Sequence, residues 1–418
     1  MKNGSTKRVV AALLLTMFLP VALQAQTYQV KTLDGLGGGA GANGINNRGQ
    51  IVGLANNATN TISHAALWTA ASSTPFDLGS LGGADINSAT AFPVKNNRGL
   101  IVGISDTDEN NPLGEAFSCW PFYAAGVPTR KICKGFRWEQ GVMTPLPPFP
   151  GGYNSYATGA NNRGQVVGWA ENGVHDSSCN TAFQILQFRA ALWEPNGEMR
   201  ELPPLPGDST SAATAINDKG QVVGISGACG VAVGDVSAAH AVIWENEVPT
   251  RIPDFGGHAW NTPTAINNDG VVVGFSLPAA ADGTRFYRAF VWTKENGTKM
   301  LDQIPGDVRS AAFGINNDGT IVGLSRTPGA LLRAVVWQDA DAQIKNLNDL
   351  SVSGAPYLLI GGDVNAGGEI AGFTGDGFGF LATPDGSNTA AKSNAAQPAY
   401  WELPANVRRF LRRWGIED

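Results

Sequence analysis

Seven times along the chain an asparagine is followed three residues later by a glycine, and four residues after that by a second glycine that closes a short apolar run. The copies extend from Asn46 to Gly53, Asn96 to Gly103, Asn161 to Gly168, Asn217 to Gly224, Asn267 to Gly274, Asn316 to Gly323 and Asn365 to Gly372. Their closing glycines lie 50, 65, 56, 50, 49 and 49 residues apart, a period that belongs to propellers and solenoids rather than to a string of unlike domains. In the fifth copy Thr264-Ala265-Ile266 enters the turn Asn267-Asn268-Asp269-Gly270, and Val271 to Phe275 leaves it. The glycine suits a left-handed turn position and the asparagine can bond its own backbone two residues on, so each copy reads as a tight β-hairpin.

A third strand follows each hairpin. It is Arg288-Ala289-Phe290-Val291-Trp292 in the fifth copy and recurs as His64 to Trp68, Lys134 to Trp138, Arg189 to Trp193, His240 to Trp244 and Arg333 to Trp337. Six of the eleven tryptophans thus share one register, as blade-to-blade packing requires. A fourth strand, such as Met300-Leu301, completes the unit. The seventh copy lacks a fourth strand after Phe378-Gly379-Phe380-Leu381, whereas Tyr28 to Leu33, followed by Asp34-Gly35-Leu36-Gly37-Gly38, looks like one without a blade. A ring closed by both ends of the chain removes the open sheet edges, so the sequence predicts an all-β, seven-bladed β-propeller of four-stranded antiparallel blades over residues 26–386. With 53 glycines and only 15% charged residues, the composition fits short strands and tight turns. The net charge of -6 gives no general electrostatic reason to expect nucleic acid as a partner.

The ends read differently. Lys2, Lys7 and Arg8 precede an apolar stretch from Val9 to Leu23 and the small residue Ala25, the pattern of a secretory signal peptide over residues 1–25. The chain is therefore expected outside the cytoplasm, extracellular or periplasmic. Four cysteines in an exported chain favour disulfides over metal ligation. Of the three pairings open to them, Cys119 with Cys133 would staple one insertion and Cys179 with Cys229 would tie neighbouring repeats. Residues 387–403 read as a flexible linker, and 404–418 as a short basic helix with Val407, Phe410, Leu411 and Trp414 on one face, suited to a membrane surface or to folding back on the propeller.

The repeats resemble the bacterial extracellular repeat proteins of the HAF family, through His64-Ala65-Ala66, His240-Ala241-Val242 and Arg288-Ala289-Phe290, the Ile-Asn-x-x-Gly-x-Val-Val-Gly core and the Leu-Gly-Gly endings. The seventh copy departs from that pattern, with Gly377 in place of the basic residue. The resemblance implies fold and export, and no reaction.

In an up-and-down blade the hairpin turns share one face, and the longer connections between strands two and three and between blades share the other. Function in propellers belongs to loops on a rigid scaffold, which makes the variable face the candidate. Its inter-blade loops carry Tyr153, Tyr156, Asp208, His258, Trp260, Asp307 and Arg309, a set with aromatic platforms and orienting polar groups for a glycan or peptide. The competing account has Asp208 and Asp307 capping turns and Trp260 packed between blades. The basic residue that heads the third strand recurs in six blades, which argues for stacking on tryptophan or bonding a repeated oxygen rather than for a ligand ring. His175 and His258 are the histidines outside that register and hence the candidates for acid or base work.

Asp106, Asp108 and Asn110 alternate as in the first half of a calcium loop, although Asn111 stands where glycine is expected and Phe117 where the closing glutamate is expected. No zinc spacing, P-loop or dinucleotide fingerprint is present, so Ca2+ is the one cofactor the sequence raises. The leading expectation is a secreted, non-enzymatic propeller that binds an extracellular polymer, envelope component or protein. The alternatives are a propeller enzyme acting on glycans and a structural or adhesive surface protein assisted by calcium.

Overall fold

The computed structural model describes residues 27–385 except 94–95, 117–118, 120–122, 124–127, 230–238, 257–260, 280–285, 330 and 342, together with 396, 398, 402–404 and 407–408. Seven antiparallel sheets of four strands follow one another around a ring. Blade 1 is built from Gly37–Ile45, Gln50–Asn57, Ser63–Thr69 and Ser72–Asp77. Blade 7 takes its first three strands, Leu358–Val364, Ile370–Thr374 and Gly379–Asp385, from the end of the propeller and its fourth, Thr27–Leu33, from the beginning. The closing pair runs in unbroken register from Thr27 opposite Asp385 to Leu33 opposite Gly379. The seven-bladed ring expected from the repeat, latched by its leading segment, is the fold.

The closing glycine of each repeat has a steric cause. In all seven blades a Cβ at that position would overlap the carbonyl oxygen of a first-strand residue: Gly41 for Gly53, Tyr156 for Gly168, Ala311 for Gly323 and their counterparts elsewhere. The first strand approaches so closely because it is bulged near this point, for example between Ala157 and Gly159 and between Ala213 and Ala215. The extra residue is used. The Thr158, Thr214 and Thr264 hydroxyls lie 2.8–3.0 Å from carbonyl oxygens of Ala213, Pro263 and Ala312 in the next blade.

The repeated asparagine makes the hairpins into a ring. Its Oδ1 accepts from two amides of its own turn, as Asn46 does from Arg48 and Gln50 at 3.0 Å. Its Nδ2 donates to the carbonyl of the asparagine in the next blade at 2.9–3.1 Å, from Asn46 to Asn96, Asn161 to Asn217, Asn217 to Asn267, Asn267 to Asn316, Asn316 to Asn365 and Asn365 back to Asn46. Asn96 departs from the pattern and donates to Leu100 in its own blade. Aspartate could cap the turn but could not donate, which explains the carboxamide.

Indole groups join blades on their outer part. Nε1 of Trp68, Trp193, Trp244 and Trp337 donates at 2.7–3.0 Å to Asp34, Pro147, Pro203 and Asp302, each in the connection arriving from the preceding blade. The sheets bury their faces in clusters between neighbours, such as Leu33, Ile51, Trp68 and Leu381 between blades 7 and 1. A further cluster draws on every blade through the residue after the closing glycine: Leu54, Ile104, Trp169, Ile225, Phe275, Leu324 and Phe373. Tyr123, the four cysteines, Leu403 and Val407 join it. The start of the C-terminal segment therefore packs on the propeller, while residues 1–25, most of the expected linker and nearly all of the expected helix lie outside the described residues. Among the described residues no helix is long and apolar enough to cross a membrane.

Both disulfides form, Cys119 with Cys133 and Cys179 with Cys229, with Cα atoms 6.0 and 4.7 Å apart. The first ties the blade 2 insertion to its third strand, and the second links the loops of blades 3 and 4. Two such bonds suit an oxidising compartment.

Candidate functional site

The seven hairpin turns surround a small axial recess of about 60 Å³ lined by Asn46, Asn217, Asn267, Asn316, Asn365 and their neighbours. The amides here bond one another around the ring, so the recess is narrow and its walls are committed to structure. The opposite face is larger in relief. Around the axis its inner part is occupied by the shared apolar cluster, and two recesses open between blades, of about 490 Å³ at the seam of blades 7 and 1 and about 320 Å³ at that of blades 5 and 6.

Most residues singled out from the sequence are held in structural roles. Tyr156 is fully buried, stacked on Trp169 with ring centroids 4.0 Å apart and met edge-on by Phe92. Tyr153 is pinned through its backbone, the amide to Glu171 and the carbonyl to the Lys134 ammonium. Asp208 accepts from Ser226 at 2.6 Å and pairs with His240 at 3.0 Å. Asp307 repeats the motif two blades on, with Ser325 at 2.5 Å and Arg333 at 3.1 Å. A histidine and an arginine fill the same position around equivalent carboxylates, so proton transfer is not what fixes the geometry. Arg309 lies over the rings of Phe286 and Tyr287, 5.1 and 5.8 Å from their centroids. His258 and Trp260 lie outside the described residues, and His175 is exposed at the end of the Val166–His175 strand. The structure thus places the described members of this set at separate seams rather than in one cleft.

The heads of the third strands follow a rule the sequence did not show. His64 bonds Asp77 at 2.9 Å, Arg189 bonds Glu201 at 3.2 Å, and His240 and Arg333 bond Asp208 and Asp307. Lys134 bonds a carbonyl. Carboxylates, rather than tryptophan faces, are the usual partners.

The Asp106 to Asn110 segment is not a calcium-type loop but the end of the strand Ile101–Asn110. Asp106 is buried beside the Cys119–Cys133 bond, accepting from Thr129 at 2.8 Å, and burial pushes its carboxyl up to about 7; Asp108 and Asn110 are exposed. The cysteines near Asp106 are committed to their disulfide, which leaves this carboxylate as the one remaining ligand of that group.

Sequence reasoning missed a buried acidic pair. Glu115 of the blade 2 insertion accepts from the amides of Ile185 and Leu186 at 2.7 Å, Glu171 accepts from Asn154 and Gln184, and the Gln184 amide spans the two. Burial, then the charge of Glu115, pushes Glu171 up to about 7. Neither glutamate recurs in the repeat, and nothing in their spacing announced that the insertion would fold over blade 3.

The recess at the closure seam is lined by Asp34, the glycines at 35 and 37–39, Asn60, Asp376, Gly377, Phe378 and Pro404. The strand register corrects the expected Gly377: Phe380 pairs with Gly372 as Ala66, Ala191 and Val335 pair with the closing glycines of their blades, so Phe378 takes the position of the basic head and an apolar ring replaces the cation here. Ser73 fixes one oxygen of Asp34 at 2.8 Å and Thr374 fixes one of Asp376. Asn60 uses its Oδ1 for the amide of Gly39 at 2.9 Å. What faces the recess is one partly exposed phenyl ring, a second oxygen on each of two anchored carboxylates, and a carboxamide NH2.

No family model matches the chain, and neither does any curated protein. Solved structures share the architecture at low identity. Virginiamycin B lyase from Staphylococcus aureus is 10% identical over 86% of this chain and 100% of its own, with a TM-score of 0.48. TolB from Acinetobacter baumannii is 11% identical over 81% of this chain and 64% of its own, with a TM-score of 0.42. A puromycin hydrolase is 10% identical over 79% of this chain and 47% of its own, at a TM-score of 0.44, so the chain spans less than half of that protein. The likeness is one of fold alone.

Proposed function

We propose that this chain is an exported, non-catalytic binding propeller, and that its ligand is a glycan seated on the loop face at the closure seam. The observation that carries this reading is the recess of about 490 Å³ at the seam, where Phe378 stands in the register of the basic head and Asp34, Asp376 and Asn60 supply the polar groups. A sugar ring offers an apolar face of C–H groups and a rim of hydroxyls. A phenyl ring covers the first, while carboxylate oxygens accept from the hydroxyls and an amide donates to them. Because Ser73 and Thr374 already hold the carboxylates, little side-chain ordering is left to oppose binding. The resemblance to the HAF repeats and the two disulfides support an extracytoplasmic setting.

The test is a panel of neutral oligosaccharides titrated against the protein without residues 1–25. Saturable binding that weakens at least ten-fold in Phe378→Ala and in Asp376→Ala, with melting temperatures unchanged, is the expected result. Failure of every glycan to bind, or capture of a protein instead, rejects the ligand class; turnover of a bound glycan rejects the non-catalytic part.

A further inference from the structure

The basic heads of the third strands separate one blade from the rest. Four of them hold a carboxylate and Lys134 holds a carbonyl, yet among the described residues the Arg288 guanidinium in the same register has no ion pair, and its buried Nε has no hydrogen-bond acceptor. The reason lies in the preceding loop. Blades 4 and 6 place Asp208 and Asp307 there, each also accepting from a serine of the second strand. Counted from the loop's start, that position in blade 5 falls on His258, and Ser276 donates at 2.5 Å to the neutral Asn261 instead. Blade 5 keeps the cation of the motif and has lost its acid.

Arg288 does not face solid protein. It lines the recess of about 320 Å³ between blades 5 and 6, whose apolar wall is Pro278, Ala279, Phe286 and Val308. Gln303 lines the same space, and its side-chain Nε2 is buried with no acceptor. Arg309 lies against Phe286 and holds that wall in place. Among the described residues the negative groups nearby are two: Asp307, which also lines the recess, is engaged by Ser325 and Arg333, and Asp302 is exposed and acts on Arg288 by charge without an ion pair. Two unsatisfied donors, one of them charged, therefore converge on an apolar-walled recess large enough for a small organic molecule. Leaving such groups unpaired is costly, and a carboxylate is the acceptor that the same motif uses in the neighbouring blades.

From these relationships we infer that the blade 5–6 recess is a second binding site, for a carboxylate carried on a compact apolar body, with Arg288 and Gln303 holding the carboxylate and Phe286, Pro278 and Val308 covering the body. A free small acid and the C-terminal residue of a peptide both present this chemistry. The site is independent of the glycan reading and stands or falls separately from it.

The test uses calorimetric titration of the protein without residues 1–25. Its probes are hexanoate, 3-phenylpropionate and their primary amides, and two tetrapeptides ending in phenylalanine, one with a free and one with an amidated C-terminus. The acids or the free-ended peptide bind saturably, and the amides bind at least ten-fold more weakly. Binding falls at least ten-fold in Arg288→Gln and measurably in Gln303→Leu. It is unchanged in Arg189→Gln, which alters the same register in a blade whose arginine already has its acid. A free-ended peptide that outbinds both small acids identifies a chain terminus as the ligand, and the reverse order identifies a small acid. Absence of saturable binding by any acid, equal binding of acid and amide, or an Arg288→Gln variant that folds and binds like the parent overturns the inference. Should Arg288→Gln fail to fold, the acid-against-amide contrast and Gln303→Leu decide alone.

Discussion

The side-chain amide of Asn365 donates to the carbonyl oxygen of Asn46 at 3.1 Å, although 319 residues separate them. This bond closes on the axis what the N-terminal strand closes at the rim, and it gives the repeated asparagine a purpose beyond its own turn. Asn365→Ala removes that donor and also the acceptor for the amide of Glu369 at 3.0 Å, leaving that amide unpaired and the Asn46 oxygen with its bond from Gly49 alone. The expected cost is about 1–3 kcal/mol. Among the described residues the side chain of the second-row Asn47 accepts a single exposed bond, from the amide of Ala366, and its own amide keeps its bond to Asn97 in an alanine variant, so Asn47→Ala costs far less. Chemical denaturation of both variants checks the contrast, and equal midpoints contradict it.

Tyr28 is the principal apolar anchor of the closing strand, 3% exposed and packed with Leu347, Leu350, Leu358 and Phe380. Tyr28→Ala is expected to cost about 3 kcal/mol or more and to free the edge of the Gly379–Asp385 strand for pairing with other copies. Light scattering during a thermal ramp reads both effects. A variant that melts at the parent's temperature without self-association shows that the latch is dispensable.

His64 and Asp77 give stability a pH window. The bond to Asp77 raises the histidine above 6.5; at the aspartate, burial acts upward but is outweighed by the bonds from His64 and the amide of Gly79, leaving it below 3.8. The histidine's share is complete below pH 6.5 and fades as pH climbs through its raised value, while the aspartate's share is present above pH 3.8 and fades in acid. The pair is partly exposed, so the effect is small. Between pH 6 and 9 the parent should lose about 1–2 °C more than His64→Gln. Parallel melting curves against pH dismiss the contribution.

The Cys179–Cys229 bond spans 50 residues and joins two blades. Replacing both cysteines with serine is expected to lower stability by about 2–4 kcal/mol through the freed unfolded chain. Denaturation with and without reductant measures it. If reductant shifts the double variant as much as the parent, the loss belongs to the other disulfide.

What the sequence disclosed is what each blade does alone and repeats. Asn-Gly turns, four strands and a missing last strand are local signals, and the glycines that touch a carbonyl in every blade repeat because the clash repeats. Tyr156 shows the limit. Its place in an inter-blade loop suggested a platform, but the strand Ser155–Ala160 begins one residue earlier and turns the ring against Trp169. Alternating acids from Asp106 onward resembled a loop because strand alternation and ligand alternation have the same period. Arg288 was legible as a member of a series and not as its exception, since an exception of this kind is defined by which partner a folded neighbour fails to supply.

A seventh blade assembled from opposite ends has a consequence for how the molecule is made. Thr27–Leu33 is the first strand of the ring to leave the ribosome and must wait, without a mate, until residue 385 has followed it. For that interval six finished sheets stand as an open arc whose two outer blades cannot yet meet. Moving the chain break into a connection between blades, such as that from Leu33 to Gly37, would let every sheet complete itself as it emerges.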